Sequence, residues 1–119
     1  CGASILVSET TLLGIENPQE FQYRFLGLVQ VKGKKDPISV YEFFEGDDPE
    51  LATLKSKTLR DFETGLTAFF ARRFEEAIQS FEQVLSINPK DNVANMYTER
   101  AKSLIAQGIP PGWTGVETW

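Results

Sequence analysis

Two hydrophobic periods divide this chain. Up to about residue 45 the apolar residues alternate or cluster in short runs, whereas from Pro49 onward they recur at helical spacing. Ile5-Leu6-Val7 reads as a short strand that expects neighbours, and with Cys1-Gly2 leading straight into it the chain is expected to be a fragment. Ser8 is placed to cap a short helix through Thr11, Leu12 and Leu13, which Gly14 would end. Asn17-Pro18-Gln19-Glu20 predicts a single turn or tight loop. Strand character returns over Phe21 to Val31, with Phe21, Tyr23 and Phe25 on one face and Gly27 at a bulge or change of phase. Leu28 to Val31 and Ile38 to Phe43 then form the arms of a β-hairpin, separated by a turn holding Lys32, Gly33, Lys34, Lys35 and Pro37.

The switch falls at the acidic turn Gly46-Asp47-Asp48-Pro49, where Asp48 and Pro49 supply a capping residue and a first-turn proline. A polar lead-in, Leu51 to Thr58, precedes a helix whose apolar face is Leu59, Phe62, Leu66, Phe69 and Phe70. The pattern leaves open whether lead-in and helix are continuous. A second helix carries Phe74, Ala77, Ile78, Phe81, Val84 and Leu85 and stops at Asn88-Pro89. A third, capped by Asp91, carries Val93, Ala94, Tyr97, Ala101, Leu104 and Ile105 and ends at Gly108 and Pro110-Pro111. The expected class is therefore α+β, with one domain over 1–45 and a helical one over 46–119.

Composition removes several functions. The formal charge of −5 argues against nucleic acid as a partner, because phosphate-backbone binding needs a basic face. One cysteine allows no internal disulfide, and the absence of histidine excludes Ser-His chemistry and the commonest neutral-pH base. No apolar run is long enough to span a bilayer, and no signal-peptide pattern opens the chain, so a cytoplasmic segment is expected.

Candidate chemistry is concentrated in the hairpin turn. Lys32, Lys34 and Lys35 around a flexible glycine could approach an anion, although lysines in such turns ordinarily serve only to keep them solvated. Glu75-Glu76, Glu82 and Glu99 are ordinary helix-surface acids with nothing converging on them, so no metal site is expected. Arg72-Arg73, between two helices, could bind a carboxylate or simply complement a helix C-terminus. Trp113 and Trp119 lie in a Pro/Gly-rich tail, where large aromatics generally pack back on the body; the tail is expected to strap the helices, with Trp113 on the outer face of the third.

Two resemblances give these patterns a function. Ser4 to Thr10, Phe25-Leu26-Gly27, Val29-x-Val31-Lys32-Gly33-Lys34 and Pro37-Ile38-x-Val40-Tyr41-Glu42 together resemble the end and closing hairpin of the bacterial class III adenylate/guanylate cyclase catalytic domain, over residues 1 to about 45. Gly65, Phe69, Phe74, Ala77, Ile78, Phe81, Leu85 and Pro89 stand at the spacings of a tetratricopeptide repeat, where small residues let two antiparallel helices approach. Asp61 and Arg72 depart from that pattern, the latter replacing its turn glycine, and no second full repeat follows. One repeat, a capping helix and a Trp-containing tail resemble the extension that many bacterial cyclases carry after the hairpin.

The cyclase resemblance implies cyclic nucleotide synthesis from a nucleoside triphosphate, with ATP preferred and GTP open. It also implies a homodimer with two divalent metals, Mg²⁺ or Mn²⁺, held by aspartates of the family pattern that lie N-terminal to the residues here. This segment would then be non-catalytic alone and depend on the remainder of the cyclase domain. It would bring Lys34, or failing that Lys32, to the nucleotide's phosphates, while Lys35 stands outside the matching tetrapeptide. The alternative is that the helical unit is the functional object, a tetratricopeptide-type protein-interaction module unrelated to catalysis.

Overall fold

The computed structural model describes residues 5–117, which fall into two compact units: residues 5–56 with 116–117, and residues 57–115. The helix that follows the acidic turn thus groups mainly with the strands. Trp119, named above as a tail aromatic, lies outside the described residues.

The first unit is a three-stranded antiparallel sheet in the order β1-β3-β2, formed by β1 (Ile5–Ser8), β2 (Tyr23–Val29) and β3 (Ile38–Phe43). Its helices are α1 (Glu9–Leu13) and α2 (Pro49–Lys57), with a 3-10 turn at Pro18–Glu20. The Ser8 hydroxyl accepts from Thr11 N at 3.2 Å and starts α1, and Asp48 Oδ2 accepts from Glu50 N at 3.2 Å at the start of α2. β2 begins earlier than the hairpin arm read from the sequence and stops at Val29; Gln30 instead donates to the carbonyl of Glu117, whose own N–H donates to Leu28. This parallel bridge covers the outer edge of β2, whereas among the described residues no strand lies on the outer edge of β1.

Gly27 stands at the register shift, with φ +131. Tyr23 and Phe25 pair with Phe43 and Tyr41, and the bulge then turns Val29 toward the side already occupied by Arg24 and Leu26. The sheet consequently has a buried face, with Arg24, Leu26, Val40 and Glu42, and a half-exposed aromatic face. On the latter Tyr23 stacks on Phe43 at 5.1 Å between centroids, and Phe25 tilts against Tyr41 at 5.3 Å.

The second unit comprises α3 (Leu59–Phe70), α4 (Phe74–Ile87) and α5 (Asn92–Gln107), with α3 packed on α4 and α4 on α5. The helical stretch left open by the pattern is interrupted at Thr58, where ψ is 3°. α3 ends in a Schellman motif: Arg73 N donates to Ala68 O, Arg72 N donates to Phe69 O, and Arg72 takes the left-handed position at φ +67. The core is aromatic, with Phe81 stacked on Tyr97 at 5.5 Å and Phe62 and Phe69 edge-on to Phe81 and Tyr97 respectively. Gly65 sits under the Phe81 ring, and a Cβ there would lie 2.8 Å from Phe81 Cζ. Asp91 Oδ1 accepts from Ala94 N and caps α5, but Ile105, assigned to its apolar side, is exposed because the stripe rotates outward past Leu104.

Trp113 is placed differently from the expectation. Instead of the outer face of α5, it packs edge-on against Phe69 and Phe74, both at 5.5 Å, at the turn between α3 and α4. Arg72 holds it there, its Nη2 donating to Trp113 O at 3.0 Å.

Candidate functional site

The lysine turn is built from the end of β2. Val31 to Lys34 make a β-turn closed by Lys34 N donating to Val31 O at 3.0 Å, with Gly33 at its third position at φ +86, where a type II turn requires a positive angle. A second tie runs from Gln30 Nε2 to Lys34 O at 2.8 Å. Lys32, Lys34 and Lys35 are all exposed, and among the described residues their ammonium groups make no ion pair. The backbone is thus fixed twice while three positive charges remain available to an anion. Lys32 and Lys34 flank the glycine, and Lys35 follows outside the hydrogen-bonded turn.

Behind the same hairpin lies a feature that sequence reasoning missed. Arg24 Nε donates to Glu42 Oε1 at 2.7 Å, and Lys55 Nζ reaches both Glu42 Oε2 at 3.1 Å and Asp47 Oδ2 at 2.7 Å. All four side chains are buried, and Lys55 also lies 5.8 Å from the Phe44 ring centroid. The two positive and two negative groups cancel, which makes burial tolerable and ties β2, β3, the acidic turn and α2 together. A signal existed for half of it: placing Tyr23 and Phe25 on one face puts Arg24 on the other, opposite Glu42 in the register of the hairpin. Nothing in the spacing of polar α2 marks Lys55 as a buried residue.

The aromatic face carries little ionisable chemistry. Burial raises the Tyr41 hydroxyl above its ordinary range, and the nearby Glu9 and Tyr23 add to that shift. Beside this face is an apolar hollow of about 420 Å³ lined chiefly by Ile5, Val7, Ile15, Phe21 and Phe43.

The other candidates do not converge. Among the described residues no three acidic or cysteine side chains are grouped to hold a metal, and Lys102 lies 3.8 Å from both Glu82 and Glu99. Glu76 pairs with Arg73. No helix among the described residues is long and apolar enough to cross a membrane. Of the repeat positions, Gly65, Phe69, Phe74, Ala77 and Phe81 are buried, Pro89 is exposed and Trp113 is half-buried.

Comparison with known proteins adds one finding. The chain is similar to the terminal-differentiation specific adenylate cyclase of Dictyostelium discoideum, 30% identical over 97 residues that make up 81% of this chain. The match takes in 5% of that protein. Its 97 residues exceed the length of either unit, so the similarity runs through both the sheet and the helices. No family profile and no solved structure matches the chain.

Proposed function

We propose that this chain is the closing part of a class III nucleotidyl cyclase domain of the bacterial type together with its helical extension, in a parent enzyme that makes a cyclic nucleotide, by preference from ATP. The observation that carries this reading is the adenylate cyclase similarity, because it spans the strands and helices in one match. The exposed edge of the sheet supports it. Ile5 and Leu6 point to opposite faces of β1 and are 63% and 54% exposed, so a partner on one face would cover only one of them. A further strand of the cyclase domain, added at that edge with its own coverings, would shield both.

In this reading Lys34 contacts the triphosphate, with Lys32 as the second choice, and offsets charge developing on the pyrophosphate leaving group. The metal aspartates belong to the remainder of the domain, along with Mg²⁺ or Mn²⁺, and no metal-bound step is assigned to this segment. The helices serve as a tetratricopeptide-like accessory that stabilises a homodimer, on the cytosolic side. The domains of the proposal are 1–45 for the cyclase part and 46–119 for the extension. The second reading, a protein-interaction module, is favoured by the close α3–α4 approach at Gly65, which is the packing such repeats depend on.

The test is kinetic and uses the intact parent enzyme. Lys34→Ala is expected to lower kcat/KM for nucleotide about ten-fold or more, the scale of one lost charge-assisted phosphate contact, with unchanged folding. Lys35→Ala should do much less. Wild-type kinetics for both substitutions would leave the turn as a solvated loop.

A further inference from the structure

The ladder between β2 and β3 ends at the pair Val29–Ile38, so Gln30 is the first residue of the loop that carries the lysines. A residue just past a ladder has lost its cross-strand partner, and its main chain needs another. Gln30 finds one in the tail. Its N–H donates to the carbonyl of Glu117 at 2.9 Å, and the Glu117 N–H donates in turn to Leu28 O at 2.9 Å. Val116 and Glu117 follow the helices in the chain yet group with the sheet, where Glu117 is 7% exposed. The parallel bridge centred on Val29 therefore holds the backbone one residue beyond the hairpin's own pairing.

That one residue matters because of where its side chain goes. Gln30 Nε2 donates to Lys34 O at 2.8 Å, while Lys34 N donates to Val31 O at 3.0 Å. Both main-chain polar groups of Lys34 are engaged, so its backbone is fixed and its freedom is confined to the side chain. Residues 32–37 are all exposed, and apolar burial therefore does nothing to order this stretch. Hydrogen bonds do it instead, in a relay: Glu117 fixes the main chain of Gln30, and the Gln30 amide fixes the main chain of Lys34.

We propose that Gln30 is a positioning residue for Lys34 and that the tail, through the bridge at Glu117, tunes nucleotide affinity without touching the nucleotide; this rests on the reading of Lys34 as the phosphate-contacting lysine. A loop ordered before the nucleotide arrives has less freedom to lose on binding. Breaking the relay leaves the ammonium in place and only loosens the backbone that carries it. Its loss therefore falls on KM, whereas removing the ammonium itself also takes charge stabilisation from the leaving group.

Steady-state kinetics of the intact parent enzyme with ATP test it. Gln30→Met keeps the length of the side chain and removes its donor. Glu117→Pro removes the N–H that closes the bridge, with Glu117→Ala as its reference because both lack the carboxylate. Gln30→Met is expected to raise KM about three- to ten-fold with kcat within about two-fold, and Glu117→Pro to do the same relative to Glu117→Ala. In a Lys34→Ala background Gln30→Met should add nothing, since it acts only through that lysine, whereas a general structural defect would add its loss in full. Amide exchange at Lys34 N–H should also be faster in Gln30→Met than in wild type. Should Glu117→Pro fail to fold, Gln30→Met and the double variant decide alone, their site being exposed loop. Wild-type KM for Gln30→Met beside an impaired Lys34→Ala, or losses that multiply in the double variant, would overturn the positioning role and leave the nucleotide reading standing. Wild-type kinetics for Lys34→Ala would overturn both, so the two failures differ in which variant is silent.

Discussion

The two units bury their interiors in opposite ways. Residues 57–115 close over stacked and edge-on aromatics, Phe62, Phe69, Phe81 and Tyr97, with Gly65 and Ala77 making room for them. The sheet unit buries Arg24, Glu42, Asp47 and Lys55 behind its strands and leaves Tyr23, Phe25, Tyr41 and Phe43 half-exposed on the other side. Apolar burial needs only that the volume be filled, whereas a buried ion network must be complete to be tolerable at all. The same molecule therefore contains one unit that should fail by loss of volume and one that should fail by loss of a partner.

The largest effect is expected from emptying the aromatic core. Phe81→Ala should cost roughly 3–5 kcal/mol, enough to unfold a unit of this size, and urea melts followed by circular dichroism would record it. Gly65→Ala attacks the same contact from the other side. Its Cβ would be driven into the Phe81 ring, so a loss of about 1–3 kcal/mol is expected, where an ordinary helical glycine would gain stability from alanine.

Removing one partner from the ion network comes next. Lys55→Met leaves Glu42 and Asp47 without the ammonium they share and should cost about 3 kcal/mol, read as early amide exchange in α2 and β3. Replacing Arg24, Glu42, Asp47 and Lys55 together with apolar residues of similar volume should restore most of that loss. If the quadruple variant is as unstable as Lys55→Met, the network is contributing more than compensated burial.

The smallest effect sharpens the contrast, because among the described residues the helical unit has a buried polar side chain that is not paired. Asn88, at the end of α4, is 1% exposed, and neither its Oδ1 nor its Nδ2 has a hydrogen-bond partner. Asn88→Ala is therefore expected to change stability by less than about 1 kcal/mol, or to raise it, since an amide that costs desolvation is removed with no bond lost. A loss of 2 kcal/mol or more in thermal melts would mean that an internal water satisfies this amide.

Much of the local architecture was legible because it depends on neighbours in the chain. The Ser8 and Asp91 caps and the Gly27 bulge each follow from one residue type at one position, the hairpin and the stop at Asn88-Pro89 from a few adjacent residues, and the close approach at Gly65 from helical spacing. The lysine turn was legible as a turn for the same reason, with Gly33 supplying the positive φ. Three things required the tertiary structure. Lys55 looks like any solvent-facing lysine of a polar helix until Glu42 and Asp47, distant in sequence, are brought around it. Trp113 could be expected to pack somewhere, but its place at the α3–α4 turn, against Phe69, Phe74 and the Arg72 side chain, follows only from the tertiary structure. Thr58 interrupts a helical pattern that periodicity alone could not divide. The sequence determined the elements and their ends, because capping, turn chemistry and periodicity act over a few residues. Which buried charges found partners, and where the tail came to rest, was decided only when residues far apart in the chain were brought within hydrogen-bonding distance.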